Sequence, residues 1–430
     1  EEVDAIKADQ LVDNQGREIT VETPFYTVRL SARGASFGSY ILKKYRETVD
    51  KNSPNKQLIP PSFKGGVIRA TLLGNALTGL NDAIFSIAQE GDRLVVDNDK
   101  KDLSFNWVAD DGTILTKTYT FDPDSYLIGL KVVLNNASER ALKDQLVLSV
   151  RKPLEENQGY GFVGPSALIN DKLEQVKTKK IADQDEYKGK IKWVSVEDRY
   201  FLSSIIPDAE INGSMKLSET DNIIVNQLVS STFELSPGEK QTFNFYVFMG
   251  PKSMELLDGL GHDLGKALNF GFFNVIAKPC LWFMNQIYSV LPNYGIAIIL
   301  LTLCTKILLW PLGNKSYKSM SEMKKLQPLM TEIREKHKGD KQKMNQELMA
   351  LYKTYKVNPM GGCLPMVLQI PVFFALYRML YQAIELRHAP FFLWIDDLSC
   401  LLYTSPSPRD TNLHLVCRLM LEKWWGGGGG

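Results

Sequence analysis

Through the first 255 residues apolar and polar side chains alternate, the two-residue period of strands with one buried face. Val28 and Leu30 alternate with Thr27 and Arg29. Leu103, Phe105 and Trp107 alternate with Ser104 and Asn106 as far as a turn at Asp110-Asp111-Gly112, and the run 114–121 supplies the second strand of a hairpin. Residues 126–134, 145–150 and 222–233 read as further strands, and a Pro237-Gly238 turn leads into 241–249. That last run is apolar at nearly every position, which predicts burial on both faces. Many short strands separated by turn signals predict an all-β sandwich over residues 17–255.

Beyond that point the period changes. Residues 256–293 read as a linker and an amphipathic helix in which Leu281, Met284, Tyr288 and Leu291 share a face, with Asn285 and Gln286 off it. With Trp282 and Phe283 as interface anchors, this helix reads as one lying in a membrane surface, or else as a core helix of the first domain. Residues 294–312 hold a single charge, Lys306, and their length of about 28 Å at ~1.5 Å per residue just spans a bilayer core. Lys306 either snorkels to the headgroups or faces a polar cavity.

Residues 313–357 are hydrophilic. Met323, Leu326, Met330 and Ile333, then Met344, Leu348, Leu351 and Tyr355, repeat at helical spacing around Gly339-Asp340, which predicts a helical hairpin whose first arm Pro328 kinks. Asn358-Pro359 and Gly361-Gly362 end it. A second spanning helix is predicted at 361–386, with two internal prolines, Pro365 and Pro371, of the kind membrane helices tolerate. Arg378 within it faces a groove or another helix, since lipid exposure would be costly.

Charge orients this arrangement. The chain of 430 residues carries 50 Lys and Arg against 49 Asp and Glu, so net charge points to no DNA partner. The hairpin, however, carries Lys315, Lys318, Lys324, Lys325, Arg334, Lys336, Lys338, Lys341, Lys343, Lys353 and Lys356 against Glu322, Glu332, Glu335, Asp340 and Glu347. An excess of this kind in a short loop marks the cytoplasmic side and puts the first domain on the other face. The sequence suggests no catalytic residue, metal site or cofactor. Its histidines, His262, His337, His388 and His414, lie outside 17–255, and Cys280, Cys304, Cys363, Cys400 and Cys417 have no metal-site spacing.

Asn358, Pro359, Gly361, Gly362, Cys363, Pro365, Gln369, Pro371, Phe373, Ala375, Leu376, Tyr377 and Leu380 resemble the signature of the YidC family of membrane protein insertases. The likeness continues through Glu385-Leu386-Arg387-His388-Ala389-Pro390 to Trp394-Ile395 and covers roughly residues 17–399. It implies a multidomain, multi-pass protein of the bacterial inner membrane: an all-β periplasmic super-sandwich similar to mutarotase-like folds, then an α-helical transmembrane core with a cytoplasmic helical hairpin. It also implies a first transmembrane helix upstream, which makes residues 1–16 a linker. The implied function is insertion and chaperoning of nascent membrane proteins through a hydrophilic intramembrane groove, alone or with the Sec translocon. In such a groove Lys306 takes the place of a basic residue that is usually arginine and Thr302 matches a polar groove position, while Gln369, part of the signature, either lines the groove or makes an interhelical hydrogen bond. The basic hairpin would then serve the ribosome, anionic phospholipid headgroups, or nothing beyond solvation.

Residues 387–400 read as the start of a periplasmic loop. The tail 401–430, ending in a glycine run, breaks with everything before it and is expected to be non-native. Two other classes of function stay open: a membrane-tethered carbohydrate-binding or -processing β-sandwich, and an ion channel.

Overall fold

The computed structural model describes residues 16–50, 52–63, 65–74, 76–77, 79–80, 83–153, 161–337, 339–355, 364–392 and 395–399. The chain forms two compact units, Glu1–Asn269 and Phe270–Gly430.

The first unit is a β-sandwich. Among the described residues a five-stranded sheet runs in the order Asn55–Gln57, Ser36–Arg46, Tyr26–Ser31, Glu18–Glu22, Arg93–Val95. A thirteen-stranded sheet has at its centre Glu186–Glu197, Phe201–Pro207, Lys240–Pro251, Leu127–Asn135, Ile114–Phe121 and Lys101–Val108, in that order. The hairpin expected at 101–121 is present, with Leu103 opposite Tyr119 and Phe105 opposite Lys117. Its turn works because Gly112 takes φ of 89° and Asp111 Oδ1 accepts the Thr113 N–H at 2.9 Å. Alternation then buries Leu115, Lys117, Tyr119 and Phe121. Tyr119 joins the two sheets: its ring lies 5.4 Å from that of Phe37, and its hydroxyl donates to the Ala35 carbonyl at 2.7 Å.

The run 241–249 departs from expectation. Burial on both faces holds only for its second half, where Val247, Phe248 and Met249 are all enclosed; Thr242 and Asn244 in the first half are exposed. Polar side chains interrupt the apolar run there, so the strand reverts to one buried face. After this strand a short helix, α1 (Met254–Gly259), closes the unit with Leu257 buried.

The second unit is helical. Helix α2 (Asn274–Val290) buries Leu281 and Met284 as the spacing predicts, with Ala277 beside them, while Tyr288 of the expected face is half-buried. Leu291 does not join that face: it lies past the helix end in extended conformation and is 44% exposed, because the helix stops one residue before it. Helix α3 (Tyr294–Lys336) begins where Asn293 accepts the Gly295 and Ile296 N–H groups at 2.9 and 3.2 Å. A Cβ at position 295 would overlap the Phe391 ring, so glycine permits the close approach of that loop. No helix break marks residues 312–313: the expected span and the first hairpin arm are one helix, because Gly313-Asn314 alone supplies no stop signal.

Helix α4 (Lys341–Thr354) is capped by Asp340, and its Tyr352 hydroxyl donates to Met330 Sδ at 3.7 Å across the hairpin. Leu326 is buried there, whereas Tyr355, expected in the seam, lies beyond the helix end and is 54% exposed. In α5 (Leu364–Gln382) only Pro371 is internal; Pro365 stands in the first turn, where its missing donor has no helical acceptor anyway. Asn358, Pro359, Gly361, Gly362, Cys363 and Trp394 lie outside the described residues, as do most of the linker 1–16 and the tail 401–430.

Candidate functional site

The first half of α3 wears its apolar side chains outward. Of the segment Tyr294–Pro311 only 17% is buried, chiefly Gly295, Ala297 and Leu301, while Ile307, Leu308 and Trp310 are more than half exposed. Among the described residues this is the one segment long and apolar enough to cross a membrane. Thr302 and Lys306, one turn apart and both exposed, stand on one face of it. The Thr302 hydroxyl donates to the Ile299 carbonyl at 2.7 Å and the Thr305 hydroxyl to the Thr302 carbonyl at 2.8 Å. These back-bonds satisfy the hydroxyl protons and leave oxygen lone pairs and an ammonium on an otherwise greasy surface. Gln369 is exposed on α5 and shares no hydrogen bond with Thr302 or Lys306 among the described residues.

The hairpin presents Lys318, Lys324, Lys325, Arg334, Lys336, Lys341, Lys343 and Lys353 outward. At its tip His337 Nε2 lies 3.2 Å from Glu347 Oε2.

The β unit has polar features that sequence pattern alone did not single out. Lys117 is fully buried, donates to the Gly34 carbonyl at 2.8 Å and sits 4.6 Å over the Phe85 ring. Burial, with a smaller contribution from Arg69, pushes its pKa down to about 7. The signal was available: period-two alternation puts position 117 between Leu115 and Tyr119 on the inner face. Glu197 is equally buried and accepts from Lys252 Nζ at 3.1 Å, from Gln175 Nε2 at 3.2 Å and from the Ser166 hydroxyl. A cleft of about 550 Å³ lies between the 109–111 turn and 138–143; its lining includes Asp110, Asp111, Glu139, Arg140 and Lys143, and among the described lining residues no aromatic ring offers a platform for a sugar.

In the helical unit Arg378 has a definite partner. Its Nη1 donates to the Phe270 carbonyl at 3.1 Å, a contact no local pattern announces.

Residues 18–283 match the family model described as YidC periplasmic domain, and residues 286–420 match that described as 60Kd inner membrane protein. The second match runs past Cys400 into the segment expected to be non-native. The chain is 41% identical over 397 residues to the membrane protein insertase YidC of Syntrophobacter fumaroxidans, covering 90% of this chain and 72% of that one. It is 39% identical over 389 residues to the membrane protein insertase YidC of Syntrophus aciditrophicus, covering 89% and 72%. Among solved structures it is similar to an active YidC insertase with its first transmembrane domain resolved, at 18% identity and a TM-score of 0.31, covering 90% of this chain and 77% of that one. It is also similar to a galactose mutarotase related enzyme from Lactobacillus acidophilus, at 12% identity and a TM-score of 0.39, covering 54% and 97%.

Proposed function

The chain belongs to the YidC family of membrane protein insertases, and we propose that it inserts its clients along a polar face made by Lys306, Thr302 and Gln369. Its activity is membrane protein insertion, and it is an inner membrane protein with a periplasmic domain. In this reading α3 and α5 both cross the bilayer, and the hairpin of α3 and α4 stands in the cytoplasm, as its basic surface favours.

The observation that carries the proposal is the exposed pair Thr302 and Lys306 on a segment whose other exposed residues are almost all apolar. A cation there, in a medium of low dielectric, attracts an acidic client tail far more strongly than it would in water. The tail is drawn part of the way across while the client's apolar segment moves onto the surface formed by Ile307, Leu308 and Trp310. Partitioning of that segment into lipid then drives insertion with no covalent step. Lysine supplies the charge as a point ammonium, without the planar fork of arginine. The Sec translocon, the ribosome and anionic phospholipid are the partners the hairpin and its basic surface suit.

The test compares clients whose translocated tails are acidic or neutral. Lys306→Ala slows the acidic-tailed clients about tenfold more than the neutral ones, the worth of a charge contact of roughly 1.4 kcal/mol, and Lys306→Arg restores the difference. Equal slowing of both client classes would sink the charge mechanism.

A further inference from the structure

We propose that Arg378 is a positioning residue for insertion: its guanidinium clamps the turn Gly271–Phe273 and so fixes helix α2 against α5. The inference rests on the membrane reading of α3 and α5 given above. Arg378 lies about 6 Å from the end of α5, at ~1.5 Å per residue before Gln382. A cation there is costly in apolar surroundings unless it finds acceptors.

Arg378 finds them on the turn that precedes α2. Nη1 donates to the Phe270 carbonyl at 3.1 Å, and the guanidinium carbon is 5.7 Å from the centre of the Phe273 ring. One turn earlier on α5, Phe374 stacks on the same ring at 6.2 Å. The turn itself is shaped for the contact: Gly271 takes φ of 67°, and a Cβ there would lie 2.8 Å from Nη1.

Helix α2 starts directly after this turn and is pinned at its other end by the stacking of Tyr288 on Tyr294, 3.8 Å apart. Held at both ends, it packs on α3 and on α5. Its seating therefore sets the separation of the two helices that carry Lys306 and Gln369. It also turns Val275, Trp282 and Val290 outward, where they are 84%, 54% and 78% exposed.

The experiment places a spin label at Val275→Cys in the liposome-embedded protein, with the native cysteines replaced, and reads label mobility beside client insertion. Arg378→Met removes a charge from α5 and so does not weaken its integration, while Gly271→Ala strains the same clamp with every charge kept. Each is expected to raise label mobility about twofold or more and to slow insertion severalfold for acidic-tailed and neutral-tailed clients alike. Unchanged mobility in both variants would overturn the clamp, and raised mobility with unaltered insertion would overturn its positioning role. Access of oxygen, but not of a water-soluble nickel chelate, to a second label at Leu308→Cys on α3 of the parent tests the membrane reading by itself. Failure there sinks both ideas, whereas failure of the clamp leaves the parent pattern intact.

Discussion

The same apolar side chains are enclosed in one unit and turned outward in the other. In the β unit Leu130, Leu148, Val247 and Phe248 are at most 2% exposed, each facing another strand or the opposite sheet. In the helical unit Ile307, Leu308, Trp310 and Phe373 are 62–76% exposed on regular, well-formed helices. Burial against protein is what water demands of the first set. The second set fits the membrane reading proposed above, since a bilayer removes the hydrophobic penalty for outward leucines. The inverse holds for polar groups: the β unit hides Lys117 and the Glu197–Lys252 pair, while α3 exposes Thr302 and Lys306.

The largest effect expected of a single change comes from the buried ion pair. Glu197→Ala strands the Lys252 ammonium, whose side chain is 4% exposed, and costs about 3–5 kcal/mol; thermal unfolding of the β unit followed by sheet circular dichroism in the intact chain measures it. Next come two leucines that sharpen the contrast directly. Leu148→Ala, at 1% exposure, costs about 2–5 kcal/mol, whereas Leu308→Ala, at 76%, changes stability in liposomes by less than about 0.5 kcal/mol. Equal losses from the two would break the comparison.

A smaller, graded effect belongs to Lys117. Its folded pKa of about 7 lies below the ordinary 10.5 of the unfolded chain. Between those values the unfolded state binds the extra proton, so the β unit gains stability as pH rises through that window and shows no slope from this group below it. The gain approaches 1.4 kcal/mol per pH unit, roughly, in mid-window. Lys117→Met flattens it, and an unchanged pH profile in that variant would show the buried ammonium to be better solvated than its surroundings allow.

How much of this was legible in the sequence depended on the range of the interaction. Alternation along 101–121 specifies a hairpin and its inner face, because strand period and turn chemistry are local. Sheet order is another matter: Lys240–Pro251 sits between Phe201–Pro207 and Leu127–Asn135 through pairings no short window contains. The continuity of α3 was not legible because the change from apolar to hydrophilic residues after 312 marks a change of surroundings and not of backbone. Lys306 and Thr302 were readable as a charge and a hydroxyl one turn apart in an apolar run. Arg378 was readable only as a charge in need of a partner, since Phe270 lies 108 residues away.

The central claim is that the apolar exterior of α3 marks a membrane, with the basic hairpin on its cytoplasmic side and the β unit on its periplasmic side. In intact cells, with the native cysteines replaced, a membrane-impermeant thiol reagent is applied to Ser236→Cys in the β unit, Leu308→Cys on α3 and Lys343→Cys on α4. The account predicts labelling at 236, none at 308, and none at 343 until the inner membrane is breached. Labelling of Lys343→Cys in intact cells, or of Leu308→Cys at the rate of Ser236→Cys, would contradict it.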